Sequence, residues 1–294
     1  MTSSGRVRVQ QDRVSEIPED RYLLIVGAMK CATTSLFGYL AEHPAIAPAT
    51  VKEPEFFSRH QGHRVDVARY EDLWPDFDPA RHAYAMEAST GYTKWGERGA
   101  AARIHAHGLR PKLVYVVRDP FERIESHYNF MLQDPGWQRE ITNPSLVQTS
   151  NYALFADEYA GVFGRGNLLV LDYAELSGDP AAAVNRVAAF LGLAPLAAIA
   201  DATARNVTEL PKSGLERGLR RLAPALGRGA PEALKRPVRD LLAAIRPQKA
   251  RLTAAERAGI AAALAPGMAR LGAEYGIDVA KWGFDPAPAR AGAA

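Results

Sequence analysis

The chain has 294 residues, of which 47% are hydrophobic, so it is long enough to bury the core of a single α/β domain. Its 36 Lys and Arg stand against 33 Asp and Glu, and this near balance argues against nucleic acid or a membrane surface as a partner and favours a small, locally anionic ligand. Cys31 is the only cysteine, which excludes an intrachain disulfide and a cysteine-rich zinc site and indicates a reducing compartment, so we expect a cytoplasmic protein without a metal.

Both ends of the chain have the composition of disordered segments. Residues 1–18 are polar and end at a proline, and residues 286–294 consist mostly of small residues, so we predict a disordered arm and tail around a single domain at 19–285. The longest apolar run near the start, Tyr22 to Met29, is far shorter than the roughly 20 residues of a membrane-spanning helix. The polar residues before it lack the layout of a signal peptide, and we expect no membrane partner.

The first predicted unit is a strand followed by a helix. Tyr22–Gly27 is a short, continuous apolar run that stops at glycine, as buried strands of parallel sheets do. Thr33–Glu42 places Leu36, Phe37 and Leu40 at helical spacing, which predicts a helix whose first turn contains threonines.

The second unit has the same form, with a strand at Lys112–Val117 and a helix at Phe121–Leu132. Asp119 is a good N-cap, Pro120 suits the first helical position, and Glu122 has the spacing of a capping box. Further strands are predicted at Ala83–Glu87 and Asn167–Asp172, and a run of helices from Asp179 onward. Strands that alternate with helices pair in parallel, so the sequence predicts an α/β three-layer sandwich with a central parallel sheet flanked by helices and a helical C-terminal part.

The loop between the first strand and the first helix, residues 27–35, has the features of a phosphate cradle. Small residues let the backbone approach an anion, the helix start supplies N–H groups, Lys30 adds a charge, and Thr33, Thr34 and Ser35 add hydroxyl groups. The loop is not a Walker A motif, because Lys30 does not directly precede Ser or Thr. An ordinary turn with a solvated lysine is the alternative.

A second anion site is predicted after the second strand. Arg118 closes that strand, and Ser126 shares a helical face with Asp119, Glu122 and Arg123, which we expect to be exposed. An anion held by Arg118 and Ser126 would lie along the flank of this helix. The alternative is that Arg118 forms a solvated ion pair with Asp119 or Glu122 while Ser126 faces water.

These two segments together resemble the family of sulfotransferases that use 3′-phosphoadenosine 5′-phosphosulfate (PAPS), in particular its bacterial branch and the related heparan sulfate sulfotransferases. Residues 22–57 look like the family's 5′-phosphosulfate loop, residues 113–128 look like its 3′-phosphate motif, and weaker similarity extends the match to roughly 20–215. The resemblance implies a P-loop-like fold and transfer of a sulfuryl group from PAPS to a hydroxyl or amine, which releases 3′-phosphoadenosine 5′-phosphate (PAP).

The resemblance also implies which residues bind the donor. It assigns the 5′-phosphosulfate end to Lys30, Cys31, Ala32, Thr33, Thr34 and Ser35, and the 3′-phosphate to Arg118 and Ser126. Family members place a further basic residue after the last strand, a position that Arg205 or Lys212 could fill, and we take Lys212 as the candidate.

The predicted catalytic residues are Lys30 and Glu53. Lys30 would neutralise charge on the leaving 5′-phosphate oxygen. In the heparan sulfate branch a glutamate just ahead of a Phe-Phe pair acts as base, and Glu53 matches it, with Glu55 as the second candidate. Phe56 and Phe57 are expected to form an apolar wall beside the base. The alternative is a surface loop with solvated glutamates and a core Phe pair.

The acceptor is expected to be a small molecule, such as a natural product. The heparan sulfate enzymes carry a lysine at the position of Ala88, and its absence, with the near-neutral charge, argues against a polyanionic glycan. Tyr92 and Trp95 are predicted to line the acceptor site with Glu53, and the C-terminal helices leave a homodimer open.

Other bases and other functions remain as alternatives. His60 and His63 lie near enough to the site loop to be considered as bases, whereas His43 is expected at a helix end and His105 and His107 have no expected role. The rival functions are a P-loop-type phosphotransferase, with Glu87 or Asp172 as a magnesium ligand, and a non-catalytic nucleotide-binding relative.

Overall fold

Five parallel strands form one sheet in the order β2-β3-β1-β4-β5. This computed structural model describes residues 17–59, 67–134, 136–199 and 249–285. The strands are β1 (Tyr22–Gly27), β2 (Ile46–Pro48), β3 (Tyr84–Ala88), β4 (Lys112–Val117) and β5 (Leu168–Asp172). The parallel sheet confirms the predicted fold class.

Helices flank the sheet. In the described ranges they are α1 (Thr33–Leu40), α2 (Ala100–Ala106), α3 (Pro120–Met131), α4 (Pro144–Gln148), α5 (Tyr152–Phe163), α6 (Tyr173–Gly178), α7 (Pro180–Phe190) and α8 (Ala254–Tyr275). Helix α1 packs against α7, while α5 contacts α2 and α8. Short 3₁₀ helices at Tyr70–Leu73, Thr90–Thr93 and Trp95–Glu97 lie among the loops that follow β2 and β3. Within the described part of the chain, no helix combines the length and apolar character that a membrane span requires.

The core lies on the two central strands. Every residue of β1 is buried, and in β4 only Lys112 is partly exposed. Strands of a parallel sheet that are covered on both faces read as continuous apolar runs, which is why these two strands were readable from the sequence. Strand β2 was not predicted, because it has three residues and ends at a proline.

The element boundaries differ slightly from the predictions. Helix α1 ends two residues earlier than expected, and α3 starts at Pro120. Asp119 caps α3, since its carboxylate accepts from the N–H groups of Phe121 at 2.8 Å and Glu122 at 3.1 Å. The predicted capping box is wrong, because the Glu122 carboxylate instead accepts from the Arg118 side chain.

The predicted arm is too long by at least two residues. Ile17 is buried in the core, and the carbonyl of Pro18 accepts a hydrogen bond from Arg21 N at 2.9 Å. Residues 1–16 and the predicted tail at 286–294 lie outside the described residues.

Candidate active site

The loops that carry the predicted residues leave the sheet at the carboxyl ends of neighbouring strands. Strand β1 lies between β3 and β4, so the loops after these three strands meet at one edge. Ligands of open parallel sheets bind at this edge.

The backbone of the loop after β1 is shaped to present N–H groups. Lys30 and Ala32 have left-handed φ angles of 72° and 59°, and Ala28 N donates to Val116 O at 2.8 Å, which fixes the loop on β4. Ala32 is the N-cap of α1 and has no side chain that could accept from the first turn. The start of α1 therefore has the donors and the dipole of an anion cradle.

Lys30 reaches across this edge to α3. Its ammonium lies 4.4 Å from the ring centroid of Phe130. Burial and the nearby charge of Arg118 lower the pKa of Lys30, while Cys31 and Glu53 act in the opposite direction. The charges of a second cation and of the predicted base therefore both act on the Lys30 ammonium.

Cys31 holds the shape of the loop instead of facing a ligand, which corrects its predicted role in donor binding. Its side chain is fully buried, and burial raises the pKa of the thiol to about 12. Its N–H donates to Ala28 O at 3.2 Å, and its thiol turns back to Met29 O. The remaining loop residues lie in the first turn of α1, where Thr33 and Ser35 are buried and Thr34 is half-buried.

Arg118 lies against the loop that contains Lys30. One guanidinium nitrogen is 3.4 Å from Lys30 O, and the guanidinium stacks 4.4 Å from the ring centroid of Tyr173. The Glu122 carboxylate accepts from Arg118 Nε at 3.1 Å and from a terminal nitrogen at 2.7 Å. The ion pair considered as an alternative is thus present, and it holds the guanidinium at the edge of the phosphate-cradle loop.

The face of α3 that carries Ser126 is less exposed than predicted. Ser126 is half-buried, and its hydroxyl makes no hydrogen bond within the described ranges. The expectation that Arg123 lies on an exposed face is wrong: it is fully buried, and it donates to Ser150 Oγ and Leu146 O at 2.5 Å and to His127 Nδ1 at 3.1 Å.

Glu53 lies above the end of β3. Its N–H donates to Ala88 O at 2.9 Å, and its carboxylate is 2.6 Å from Lys52 Nζ, with 39% of the Glu53 side chain exposed. The structure therefore brings Lys30 and a solvent-accessible Glu53 to the same edge of the sheet, and the catalytic role of both residues stays a prediction.

Glu55, the second candidate for the base, is built into the fold. Its side chain is buried and accepts from Gly91 N at 2.8 Å, and the Ser58 hydroxyl makes a short contact with the same carboxylate. The Phe pair does not form a wall beside Glu53. Both rings pack against Tyr70 and His107, so this part of the sequence is core, as the alternative interpretation had it.

Tyr92 cannot line an acceptor site, which corrects that prediction. It is 1% exposed, its hydroxyl donates to Glu87 at 2.8 Å, and the same hydroxyl accepts from Phe57 N at 3.3 Å. Trp95, three residues on, is 39% exposed, and its N–H donates to Thr149 Oγ1 at 3.1 Å. Trp95 remains the candidate aromatic contact for an acceptor.

Three of the described histidines bear on the interpretation of the site. His43 accepts from Ala45 N and makes a further hydrogen bond with Ala194 O, and His107 packs in the Phe cluster, so both have structural roles. His127, which the sequence analysis overlooked, is buried beside the site, and burial together with the charges of Arg123, Lys94 and Lys30 lowers its pKa well below the usual range. Because Arg123 can only donate, Nδ1 of His127 is the acceptor and the ring is neutral. Its position directly after Ser126 in a predicted site helix was the available indication.

Four predicted site residues lie outside the described residues. These are His60, His63, Arg205 and Lys212. Among the residues that are described, no group of three or more His, Cys, Asp and Glu side chains is arranged to hold a metal ion.

A family model for the sulfotransferase domain matches residues 20–213, which include both predicted anion-binding loops, Glu53 and the five strands of the described sheet. The chain belongs to the sulfotransferase family. The recognition of this family from the two loops is confirmed.

Curated relatives of this sulfotransferase include enzymes named for heparan sulfate. The mouse heparan sulfate glucosamine 3-O-sulfotransferase 3B1 is 32% identical over 186 residues, which cover 58% of this chain and 45% of the relative. The mouse bifunctional heparan sulfate N-deacetylase/N-sulfotransferase 4 is 27% identical over 196 residues, or 58% of this chain and 22% of the relative. The chain thus spans less than half the length of these relatives.

A solved bacterial structure shares the fold of this sulfotransferase. The sulfotransferase from Alicyclobacillus acidocaldarius superposes with a TM-score of 0.65 at 22% identity, over 90% of this chain and 99% of that chain. This similarity supports the P-loop-like α/β architecture, which is also what the strand order shows.

A P-loop-type phosphotransferase would need carboxylates that can bind magnesium. In this sulfotransferase the two candidate carboxylates bind other groups of the protein. Glu87 is fully buried and accepts from Tyr70, Ser89 and Tyr92 hydroxyl groups. Asp172 accepts from Ala174 N at 2.8 Å and pairs with Lys281. Neither is presented to a ligand, so the phosphotransferase reading is not favoured.

Proposed function

We propose that this protein transfers the sulfuryl group of PAPS to a hydroxyl or amine of a small-molecule acceptor and releases PAP. The observation that carries the proposal is the contact of Arg118 with the loop that contains Lys30, at 3.4 Å from the Lys30 carbonyl. Two sites that each offer a cationic side chain to an anion lie together at one edge of the sheet. This arrangement suits a nucleotide that has an anion at each end.

The residues present fit such a donor. The uncapped start of α1 and the Lys30 ammonium would hold its 5′ end. Arg118, just before α3, would hold its 3′-phosphate together with Ser126 in that helix. Lys212 stays a candidate for the same phosphate from outside the described residues. Arg118 would have to exchange the Glu122 carboxylate for that phosphate.

Two side chains are proposed to act in the transfer itself. PAPS supplies an activated sulfuryl group. Lys30, whose pKa is lowered chiefly by burial, would offer charge and a proton to the leaving 5′-phosphate oxygen. Glu53 would accept the proton of the acceptor hydroxyl or amine, since its carboxylate is solvent-accessible and the backbone fixes it over β3.

A small, uncharged acceptor fits the site better than a sulfated glycan. Ala88 occupies the position where the resemblance implies a lysine in heparan sulfate enzymes, and its side chain is buried. Trp95 offers an exposed aromatic surface in the loop after β3.

The donor assignment is tested by nucleotide binding. We expect PAP, without magnesium, to raise the melting temperature, and Lys30→Ala and Arg118→Ala each to weaken PAP binding measured by calorimetry by ~10-fold or more, as loss of a charge-assisted contact should. Arg110→Ala is the matched control, because this exposed arginine precedes the opposite end of β4. Stabilisation by ATP with magnesium but not by PAP would contradict the proposal.

The role of Glu53 is tested by turnover. Glu53→Ala is expected to bind PAP as the wild type does while the release of PAP from PAPS falls at least ~100-fold, as loss of a general base should cost. Incubation with labelled PAPS and a metabolite extract, followed by mass spectrometry for a gain of one SO₃ unit, identifies the acceptor. Wild-type turnover in Glu53→Ala would remove this residue from the mechanism.

A further inference from the structure

The segment that carries Glu53 has an unfavourable backbone conformation. Glu53 and Glu55 have φ angles of 61° and 52°, in the left-handed region that residues with a Cβ atom seldom adopt. Such a conformation persists only where surrounding contacts determine it. The contacts of the 53–58 segment therefore decide where the Glu53 carboxylate lies.

Every second backbone N–H group of the 53–58 segment donates a hydrogen bond to the end of β3 or to the residues that follow it. Glu53 N donates to Ala88 O at 2.9 Å, and Glu55 N donates to Ser89 Oγ at 3.0 Å. Phe57 N donates to Tyr92 OH at 3.3 Å. Two of these three acceptors are side-chain hydroxyl groups, so the position of the segment depends on how those hydroxyl groups are oriented.

Glu87 sets that orientation. The Ser89 hydroxyl donates to one carboxylate oxygen of Glu87 at 2.8 Å, and the Tyr92 hydroxyl donates to the other at 2.8 Å. A hydroxyl group has one hydrogen, so each hydroxyl that gives it to Glu87 keeps its lone pairs for the N–H groups of the segment. Tyr70 donates to the same oxygen as Tyr92, at 2.9 Å, but makes no hydrogen bond to the segment.

We propose that Glu87, Ser89 and Tyr92 form a positioning device for Glu53, which we call the Glu87 clasp. The inference deepens the proposed function, on which it rests. Glu87 and Ser89 are fully buried and Tyr92 is 1% exposed, so these residues act through the segment and not on a reactant. The clasp holds the base over β3 at the edge where Lys30 lies.

Hydrogen exchange tests the clasp without any ligand. We expect Tyr92→Phe and Ser89→Ala to increase amide exchange in residues 53–58 by ~10-fold or more relative to the wild type, because each leaves one segment N–H without its acceptor. Tyr70→Phe is the matched control, since it removes an equally buried hydroxyl from Glu87 but no bond to the segment. Ser89→Ala is the second variant if Tyr92→Phe does not fold.

Turnover in a double-mutant cycle separates positioning from a general loss of stability. With PAPS and either phenol or water as the acceptor, Tyr92→Phe is expected to lower PAP release ~10-fold, a size typical of a misplaced catalytic group, and to leave PAP affinity unchanged. In a Glu53→Ala background the same change should alter the rate less than ~2-fold, because the group that it positions is gone.

The outcomes distinguish the clasp from the proposed function. Increased exchange confined to 53–58, with a rate effect that disappears in the Glu53→Ala background, supports the clasp. Unchanged exchange in Tyr92→Phe and Ser89→Ala, or a rate loss that persists without Glu53, overturns it. Wild-type protein that neither binds PAP nor releases it from PAPS refutes the proposed function, and the exchange result then decides alone whether the clasp holds the segment.

Discussion

Within the described residues, hydroxyl groups surround the Glu87 carboxyl group and no cation pairs with it. Three hydroxyl groups donate to it, yet burial, the largest influence, raises its pKa to about 7. Burial without a neutralising charge disfavours the ionised form. The ionised Glu87 that the clasp contains therefore lowers the free energy of unfolding, by an amount that depends on pH.

The pH dependence of stability provides a test of this residue. A carboxyl whose pKa is raised from 4.5 to about 7 binds more protons in the folded than in the unfolded protein between these values, so its contribution to stability falls as the pH rises through that window. We expect the free energy of unfolding to fall by up to about 3 kcal/mol between pH 4.5 and 7.5. Glu87→Gln should abolish this pH dependence. Urea unfolding of both proteins across this range measures it, and equal pH profiles would contradict the assignment.

The site residues that could be predicted from the sequence are those that lie in a recognisable local motif. Lys30 and Arg118 each follow a strand that is readable as an apolar run, and Glu53 precedes a Phe-Phe pair. Tyr92 was misjudged because a 3₁₀ turn decides whether its side chain faces the core or the solvent, and such turns leave no periodic pattern over four residues.

The 3₁₀ helix Thr90–Thr93 depends on a glycine. A Cβ atom on Gly91 would lie 2.0 Å from a carboxylate oxygen of Glu55 and 2.7 Å from Ser58 Oγ. Only glycine lets the Gly91 N–H approach the Glu55 carboxylate to 2.8 Å. The 53–58 segment and this helix are thus fitted to each other at backbone distance.

Gly91→Ala is expected to lower the free energy of unfolding by roughly 1–3 kcal/mol, because the added methyl group must displace Glu55. Gly96→Ala, in the next 3₁₀ helix, is the control: a Cβ atom there meets nothing within 4 Å, and the change should leave stability equal or up to about 1 kcal/mol higher. Urea unfolding curves measure both. Equal effects of the two substitutions would show that the space at Gly91 does not matter.

Helices and strands were predictable to the extent that they are regular and buried. Strands β1 and β4 have the predicted bounds, and the cap at Asp119 was read from residue type and spacing. The Arg123 cluster was not predictable, because its partners Leu146 and Ser150 come from α4 and the turn after it. Hydrogen bonds between distant segments have no counterpart in local periodicity.

Helix α3 connects the candidate site to the C-terminal part of the chain. The buried Glu125 carboxylate accepts from Arg251 at 2.6 Å, from Arg257 at 2.9 Å and from Leu252 N at 3.1 Å. Asn129, one turn further, exchanges two hydrogen bonds with the backbone of Ala250. The residues before α8 are therefore fastened to the helix that begins beside Arg118.

Glu125→Gln is expected to destabilise the fold by roughly 1–3 kcal/mol, since it removes the charge that two arginines and a backbone N–H share. The matched control is Glu175→Gln, which breaks an ion pair with Arg186 whose side chains are 42% and 44% exposed, and should change stability by less than about 0.5 kcal/mol. Thermal unfolding compares them. A larger effect of Glu175→Gln would contradict the view that Glu125 fastens the residues before α8 to α3.

The Arg118–Glu122 ion pair has a consequence for product release. If the nucleotide is bound there, the guanidinium would not be left to water after it leaves, because the carboxylate of Glu122, in the first turn of α3, pairs with Arg118 just before that helix. Under the proposed function, departure of PAP would be an exchange of one anion for another at Arg118, which would leave the guanidinium in place for the next donor molecule. We expect the competing Glu122 carboxylate to weaken PAP binding and so to favour release of the product.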